Sequence, residues 1–288
     1  MKFKKIFGNI IWYAVVIIIA ITTTYPLIWT ISTSFKSSGE ILSNSLNLIP
    51  QNFTFDHYRF VFETQPFARF LFNSLILAFG GIATNLFFGS LAGYAFAKLP
   101  FKGKRLIFKT FLGSMMIPGI VTMIPSFIVL RSIPLIGGND IFGQGGLGLI
   151  NTYWAILIPG AAGAFSIFFM KQFFETLPTD LAESARIDGC GEFKIFWNVY
   201  MPLTKTALAT LGLFTFQAGW NQFMWPLIVL NAREMMTVQV GLASFQYSQS
   251  TNYGPLMAGT IIATIPILLV FIFTQKYFMQ GIGHNGGK

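Results

Sequence analysis

Four residues near the end of one apolar run carry the broadest binding chemistry in the sequence: Gln217, Trp220, Asn221 and Gln222, followed by Trp225 and Pro226. Neutral amides beside an indole suit a sugar, whose hydroxyls need hydrogen-bond partners and whose CH faces stack on aromatic surfaces. The same amides also hydrogen-bond across membrane helices, so on chemistry alone a solute site and interhelical packing stand as equal readings. A second stretch, LPTDLAESARIDGCGEFKIFWNVYMP from Leu177 to Pro202, is long and water-compatible between two strongly apolar runs. With Glu175 just before it, it holds five of the ten acidic residues. Catalysis would need paired carboxylates, a histidine cluster or an activated Ser or Cys near a membrane face, and the sequence offers none of these. One cysteine, Cys190, excludes an internal disulfide and a multi-cysteine metal site, and His57 and His284 lie far apart, so no metal is expected.

Two glycine patterns are decoys. Gly143, Gly145 and Gly148, and again Gly281, Gly283 and Gly286, fit GxGxxG. Neither follows a strand or opens a helix within a βαβ unit, so neither presents a helix N-terminus to a pyrophosphate. The terminal GGK lacks the spacing and the following Ser or Thr of a phosphate-binding loop. The chain is therefore not expected to hydrolyse ATP itself.

The elements that must position the acidic stretch can be read from its punctuation. Pro178 and Thr179 start a helix over 180–187, with the Thr179 hydroxyl available as a cap and Asp180 and Glu183 favourable in the first turn. Asp188 and Gly189 make the turn, because glycine takes the left-handed conformation just past a helix end. A second helix runs from about Gly191 to Tyr200, and Pro202 marks the next boundary. Phe193, Phe196, Trp197 and Tyr200 recur at spacings of three and four, which predicts a single aromatic stripe. The hairpin either packs on its own helix ends or plugs into a partner.

Composition sets the surroundings. The 288-residue chain is 53% hydrophobic and 10% charged, whereas soluble domains carry about 25% charged residues. It reads as an all-α membrane protein. Six segments reach spanning length: 10–31, 70–97, 107–130, 151–171, 205–230 and 256–275. The first follows Lys2, Lys4 and Lys5 like a signal peptide, but its apolar run is too long and no small-x-small cleavage site ends it, so it is expected to stay as an anchor. The N-terminus, 98–109, 171–205 and the tail from Lys276 carry fourteen basic residues against five elsewhere. That bias puts both termini and the Leu177 stretch in the cytoplasm of a multi-pass protein in the cell membrane. The acidic residues divide five and five, so the whole excess of +9 lies inside, and nucleic acid is not needed to explain it.

Along the chain, the outer loop from Ser32 to Arg69 is long enough for a small ordered excursion. Asn73 and Ser74 open the second span, whose Gly80, Gly81, Gly89, Ser90 and Gly93 would let neighbouring backbones approach, so it should sit inside a bundle. Lys98, Lys102, Lys104, Arg105 and Lys109 form a basic corner facing lipid headgroups. Pro118 and Pro125 interrupt the third span, giving either a pathway wall or a packed kink; Pro159 and Pro266 invite the same two readings. No span holds a charged residue away from its ends. Proton- or ion-coupled pumps tolerate such buried charges for their relays, so this chain is expected to draw its driving force from outside the bilayer.

Glu183, Ala185, Asp188, Gly189, Phe196 and Pro202 fall at the spacing of the EAA loop of permease subunits in ABC importers, with Ser184 and Cys190 where the pattern usually has Ala or another small residue. WNQFMWPL from Trp220, YPLIWTISTSFK from Tyr25, NSLILA from Asn73, GYAFAKLPFKGK from Gly93, INTYWAILIP from Ile150 and GPLMAGTIIATIPILLVFIFTQKYF from Gly254 likewise resemble carbohydrate-type ABC permeases, in order along nearly the whole chain. The most similar subgroup is the smaller permease of the maltose-transporter type. The resemblance implies a six-helix, type I ABC importer permease fold with a cytosolic coupling hairpin. It implies an anchor and outer loop over 1–69, a transmembrane domain over 70–278 with its EAA loop at 177–202, and a tail over 279–288. Its implied partners are a second, homologous permease, two ATPase subunits that hold the ATP and Mg, and an extracytoplasmic sugar-binding protein.

On that basis Glu183, Ser184, Ala185, Asp188, Gly189, Phe193, Phe196 and Pro202 are expected at the ATPase contact. Gln217, Trp220, Asn221 and Gln222 are expected on the translocation pathway. Residues 231–254 correspond to the outer loop that reaches into the binding protein, with Gln246, Tyr247, Asn252 and Tyr253 as its polar contacts. The competing expectations are an importer of another solute such as an oligopeptide or phosphate, a membrane enzyme, and a purely structural membrane protein.

Overall fold

The computed structural model describes residues 2–43, 47–246 and 252–283. The helices in chain order are α1 (Lys2–Ser34), α2 (Ser38–Ser43), α3 (Asp56–Thr64), α4 (Phe67–Lys98), α5 (Lys104–Ser114), α6 (Gly119–Arg131), α7 (Trp154–Gly160), α8 (Ala164–Thr176), α9 (Asp180–Ile187), α10 (Glu192–Ile195), α11 (Met201–Leu203), α12 (Lys205–Trp220), α13 (Met224–Val229), α14 (Val238–Ala243) and α15 (Tyr253–Gly283). A π-helical turn, Phe196–Tyr200, joins α10 to α11. Among the described residues the only β pairing is an isolated bridge between Lys36 and Phe53. The chain divides into two compact units, one of 1–67 with 241–265 and one of 68–240 with 266–288.

In the first unit, α1 exposes apolar side chains all round, from Ile10 to Ile31, a surface that hydrocarbon rather than water would cover. Its threonines do not break that character. Thr22, Thr23 and Thr24 turn their hydroxyls back onto the Ile18, Ile19 and Ala20 carbonyls, which satisfies them within the helix. The described residues of the excursion after α1 make defined contacts. Phe35 stacks on Phe53 with ring centres 4.8 Å apart, and the Glu40 carboxylate takes the backbone N–H groups of Gln51 at 2.8 Å and Asn52 at 3.1 Å. These bonds hold its titration below the usual carboxylate range. Lys36 is fully buried, its ammonium donating to the Asn47 carbonyl. The buried His57 ring pairs with the Lys36 carbonyl at 2.8 Å and lies so close to Gly254 that a Cβ there would sit 2.2 Å from it.

The second unit is built on α4. The expected glycine face is a packing face: an added Cβ at Gly89 would lie 2.8 Å from Ser166 Cβ, and one at Gly93 would lie 2.7 Å from Met170 Cβ, so α8 runs almost backbone to backbone against α4. Gly80 receives Leu157 of α7. Two hydrophobic clusters form along α4. Tyr94 near its end packs with Met170, Phe174, Ala182, Ile195, Phe196, Tyr200, Ala207 and Leu211. Leu77 near its start packs with Leu130, Leu149, Ile150, Ala155, Trp225, Val229 and Leu230.

Four helical stretches, Gly8–Ser34, Phe67–Lys98, Trp154–Thr176 and Tyr253–Lys276, are long and apolar enough to cross a membrane, and the pair α5 and α6 makes a fifth if counted together. The expected spans are interrupted in three places: two at prolines that predict a kink or break, Pro118 in the third and Pro159 in the fourth, where the chain leaves the helix at 161–163 between α7 and α8, and one in the fifth. The third expected span bends by 104° between α5 and α6; Pro118, at the N-cap of α6, has no N–H to continue a ladder. The fifth breaks after Trp220 at 221–223 before α13 resumes. Pro226 there lacks the N–H that would bond back across the break.

Candidate functional site

The acidic stretch folds as the expected hairpin. α9 covers 180–187 as read from sequence, and Gly189 takes φ +77°. The Cys190 N–H reaches the Ala185 carbonyl at 2.9 Å and the Gly189 N–H reaches Arg186 at 3.0 Å, the two bonds of a Schellman stop. Two local readings change. Thr179 does not cap α9 with its hydroxyl; its backbone is already helical, and its carbonyl instead accepts from the Ala182 and Glu183 N–H groups. Pro202 does not end the second arm, because it sits within the first residues of α11, where its missing N–H is tolerated, and the chain turns at Thr204 instead.

The aromatic stripe divides between two faces. Phe196 and Tyr200 are buried against Tyr94 and Phe174, whereas Phe193 and Trp197 are exposed and stack on each other with centres 6.4 Å apart. At about 100° per residue, spacings of three and four spread such a stripe across roughly a quarter turn, wide enough for its two edges to meet different surroundings.

Polar bonds close the hairpin on itself and, through Tyr94 and Lys98, tie its inner edge to α4. Tyr94 donates to Glu192 Oε2 at 2.8 Å, Arg186 Nε donates to Glu192 Oε1 at 2.7 Å, and the Tyr200 hydroxyl donates to the Pro178 carbonyl at 3.0 Å. The Lys98 ammonium donates to the Leu177 carbonyl at 2.6 Å and lies over the Tyr200 ring. The Arg186 hydrogen bond holds the Glu192 carboxyl below its ordinary range, and burial pushes the Tyr200 hydroxyl up. The outer edge is different. Glu183, Ser184, Asp188, Ile187, Phe193 and Trp197 are all exposed, and neither Glu183 nor Asp188 belongs to an ion pair among the described residues. Ala185 is half-buried against the cluster.

A cavity of about 830 Å³ lies between the two clusters, bounded by α4, α6, α7, α8, α12 and α13. Its polar groups are Asn85, Thr122, Ser126, Ser166, Thr215 and Gln222, and its aromatic walls are Phe165, Phe214 and Trp225. Among the described residues no charged side chain lines it. Its size and its mix of aromatic and sparse polar groups fit a small-molecule site. Gly119 and Thr122, which follow Pro118, line it together with Pro159.

Of the four residues expected on a pathway, the cavity takes Gln222. Gln217 and Asn221 are exposed outside its lining, Asn221 receiving Gln239 Nε2 at 3.4 Å. Trp220 is only 1% exposed and stacks on Phe216 at 5.5 Å, which makes it core packing. Trp225 lines the cavity while its indole N–H donates to the Ala155 carbonyl at 3.1 Å. In the segment 231–254, Gln246, Asn252 and Tyr253 are exposed, and Tyr247 lies outside the described residues. Asn85 escaped the sequence reading; an isolated amide in a long apolar run is the signal that would have found it.

Residues 85–284 match the family model described as binding-protein-dependent transport system inner membrane component. The chain is 36% identical over 267 residues to the arabinooligosaccharides transport system permease protein AraQ of Bacillus subtilis (strain 168), covering 92% of this chain and 90% of that one. It is 31% identical to the lactose transport system permease protein LacG of Rhizobium radiobacter, covering 95% and 94%. A solved structure of a bacterial ABC transporter involved in the import of the acidic polysaccharide alginate contains a chain that matches with a TM-score of 0.81 at 28% identity, covering 95% and 97%.

Proposed function

The chain belongs to the family of binding-protein-dependent transport system inner membrane components, and from that premise we propose that it is the permease subunit of an ATP-driven sugar importer, taking a mono- or oligosaccharide. The observation that carries this reading is the division of the hairpin. Its inner edge is continuous with the core around α4, while its outer edge leaves Ile187, Phe193 and Trp197 uncovered beside unpaired carboxylates. Such a patch fits a cleft on a partner. An ATPase subunit pressing on it moves α4 and α8 directly, through the Lys98 to Leu177 and Tyr200 to Pro178 bonds.

In this reading α5 with α6, and α12 with α13, each count as one broken span, giving six spans with both termini in the cytoplasm. The hairpin contacts one of two ATPase subunits, which hold the ATP and Mg and do all the hydrolysis. A second, homologous permease completes the pathway, and an extracytoplasmic binding protein delivers the solute. Exposed Gln246, Asn252 and Tyr253 are the described groups available to that protein. A sugar is supported by the uncharged cavity, where amides and hydroxyls alternate with aromatic walls, and by relatives named for arabinooligosaccharides and lactose.

Affinity purification of the tagged chain from membranes, with mass spectrometry of bound subunits, tests the assembly. An ATPase and a second permease are expected, together with ATP-dependent uptake of a radiolabelled oligosaccharide in reconstituted vesicles. Uptake that persists without any ATPase would sink the proposal.

A further inference from the structure

Asn85 uses every hydrogen-bonding position of its amide at one break in the helical frame. Its Nδ2 donates to the Gly81 carbonyl at 3.1 Å and to the Gly160 carbonyl at 2.6 Å. Its Oδ1 accepts from the Gly163 N–H at 3.2 Å and the Ser166 hydroxyl at 2.8 Å. Turning the amide over would face oxygen to two carbonyls and the NH2 to an N–H, so the network sets its orientation. Gly160 ends α7 and Gly163 precedes α8. One side chain therefore caps both lips of the 161–163 interruption, supplying groups that backbone inside a membrane must otherwise find elsewhere.

Its position gives that bond set a use. Along α4, Asn85 lies eight residues past Leu77 and nine before Tyr94, or about 12 and 13 Å at the helical rise. It is thus midway between the cluster around Leu77, the outer cluster in the proposed orientation, and the hairpin cluster around Tyr94, at the cavity. The connections α5 to α6, α7 to α8 and α12 to α13 all break beside that cavity, placing Gly119, Gly160, Gly163 and Gln222 in its wall. The two arms at Asn85 are held unequally. α8 abuts α4 through backbone-close contacts at Gly89 and Gly93, whereas α7 meets α4 through side chains, Leu157 against Gly80, Ala155 in the cluster of Leu77 and the Tyr153 hydroxyl donating to Asn73 Oδ1 at 2.7 Å, and a Cβ on Gly160 would touch nothing within 4 Å.

We propose that Asn85 is a positioning residue for transport: it latches a hinge at 161–163, and release of its bond to Gly160 lets α7 and the outer cluster shift against α8 and the hairpin cluster as the cavity changes shape. This rests on the ATP-driven reading above. Two discrete packings joined by a bistable break are the kind of element that carries such coupling.

The test uses the purified transporter, this chain with its co-purifying ATPase. Cys190 is this chain's only cysteine, so Cys190→Ser with Ser126→Cys leaves one thiol in it, at the cavity wall, and labelling is read on this chain after the subunits are separated. Its rate of maleimide labelling is measured without nucleotide and in the ATP–vanadate state. With Asn85 present the rate should change by about fivefold or more between the two states. In Asn85→Asp, which keeps the acceptor but loses both donors, and in Asn85→Leu, which loses all four bonds, the change should shrink below about twofold in the assembled fraction. Variants that assemble in lower yield yet keep the full nucleotide response would show a merely structural amide and overturn the latch. No nucleotide response with Asn85 intact would instead overturn the ATP-driven reading beneath it.

Discussion

Arg186 closes the hairpin on Glu192, its Nε donating to Oε1 at 2.7 Å across the left-handed Gly189. Glu192 also receives the hydroxyl of Tyr94, whose side chain is 2% exposed. The two bonds differ in weight. The Arg186 pair is about 40% exposed on both sides, a setting in which ion pairs contribute about 0–1 kcal/mol. A stranded buried hydroxyl costs about 1–3 kcal/mol. Glu192→Ala should therefore lower the melting temperature of the detergent-solubilised chain more than Arg186→Ala does. Adding Tyr94→Phe to Glu192→Ala should recover most of the loss, whereas an undiminished loss would place it elsewhere.

The same carboxylate sets an acid limit. Its folded-state titration lies below the ordinary Glu value of 4.5, chiefly because of the Arg186 hydrogen bond. The pair's contribution is thus fully present above that value and is lost as pH falls through the lower folded one. Hydrogen exchange at the Gly189 and Cys190 amides should be steady from neutral pH to about 5, after allowance for intrinsic rates, and should rise relative to Glu192→Gln only in stronger acid. A rise near neutral pH would assign the opening to another group.

Gly189 separates backbone strain from steric clash. Nothing lies within 4 Å of the position its Cβ would take, yet φ is +77°, so Gly189→Ala should destabilise the turn by about 1–2 kcal/mol through conformation alone. Gly189→Asp adds a charge beside Asp188. Both variants should remain in the membrane while ATP hydrolysis is uncoupled from uptake, Asp more than Ala, as should deletion of 183–189. Normal uptake per mole of inserted Gly189→Asp would remove the hairpin from the coupling path.

The helix, the turn at Gly189 and the packing face of α4 were legible because each rests on local rules: hydropathy over a span, glycine past a helix end, small residues on one face. What escaped depends on distant partners. Phe193 and Phe196 are equivalent in a periodicity count, and only Tyr94 and Phe174, from two other helices, decide which is buried. Asn85 finds Gly160 and Ser166 at separations of 75 and 81 residues, beyond any spacing argument. Pro118 marked the break at 115–118 in advance, but the break at 221–223 hid within an apolar run long enough to span, since hydropathy registers composition and not continuity.

Trp220 and Gln222, two residues apart, should now give opposite phenotypes. Sequence chemistry grouped them, but the chain leaves α12 after Trp220, so one remains in the core and the other reaches the cavity. Trp220→Ala removes a buried indole stacked on Phe216; truncations of this kind cost about 3–5 kcal/mol, and the amount of assembled transporter should fall. Gln222→Ala removes an amide from a half-exposed wall, where stability should change by about 0.5 kcal/mol or less. Its effect should appear as slower uptake per assembled complex. Quantifying inserted protein alongside radiolabelled sugar uptake separates the two. If Gln222→Ala transports at the unmodified rate, Gln222 does not hold the sugar; if Trp220→Ala assembles normally, the assignment of its ring to the core fails.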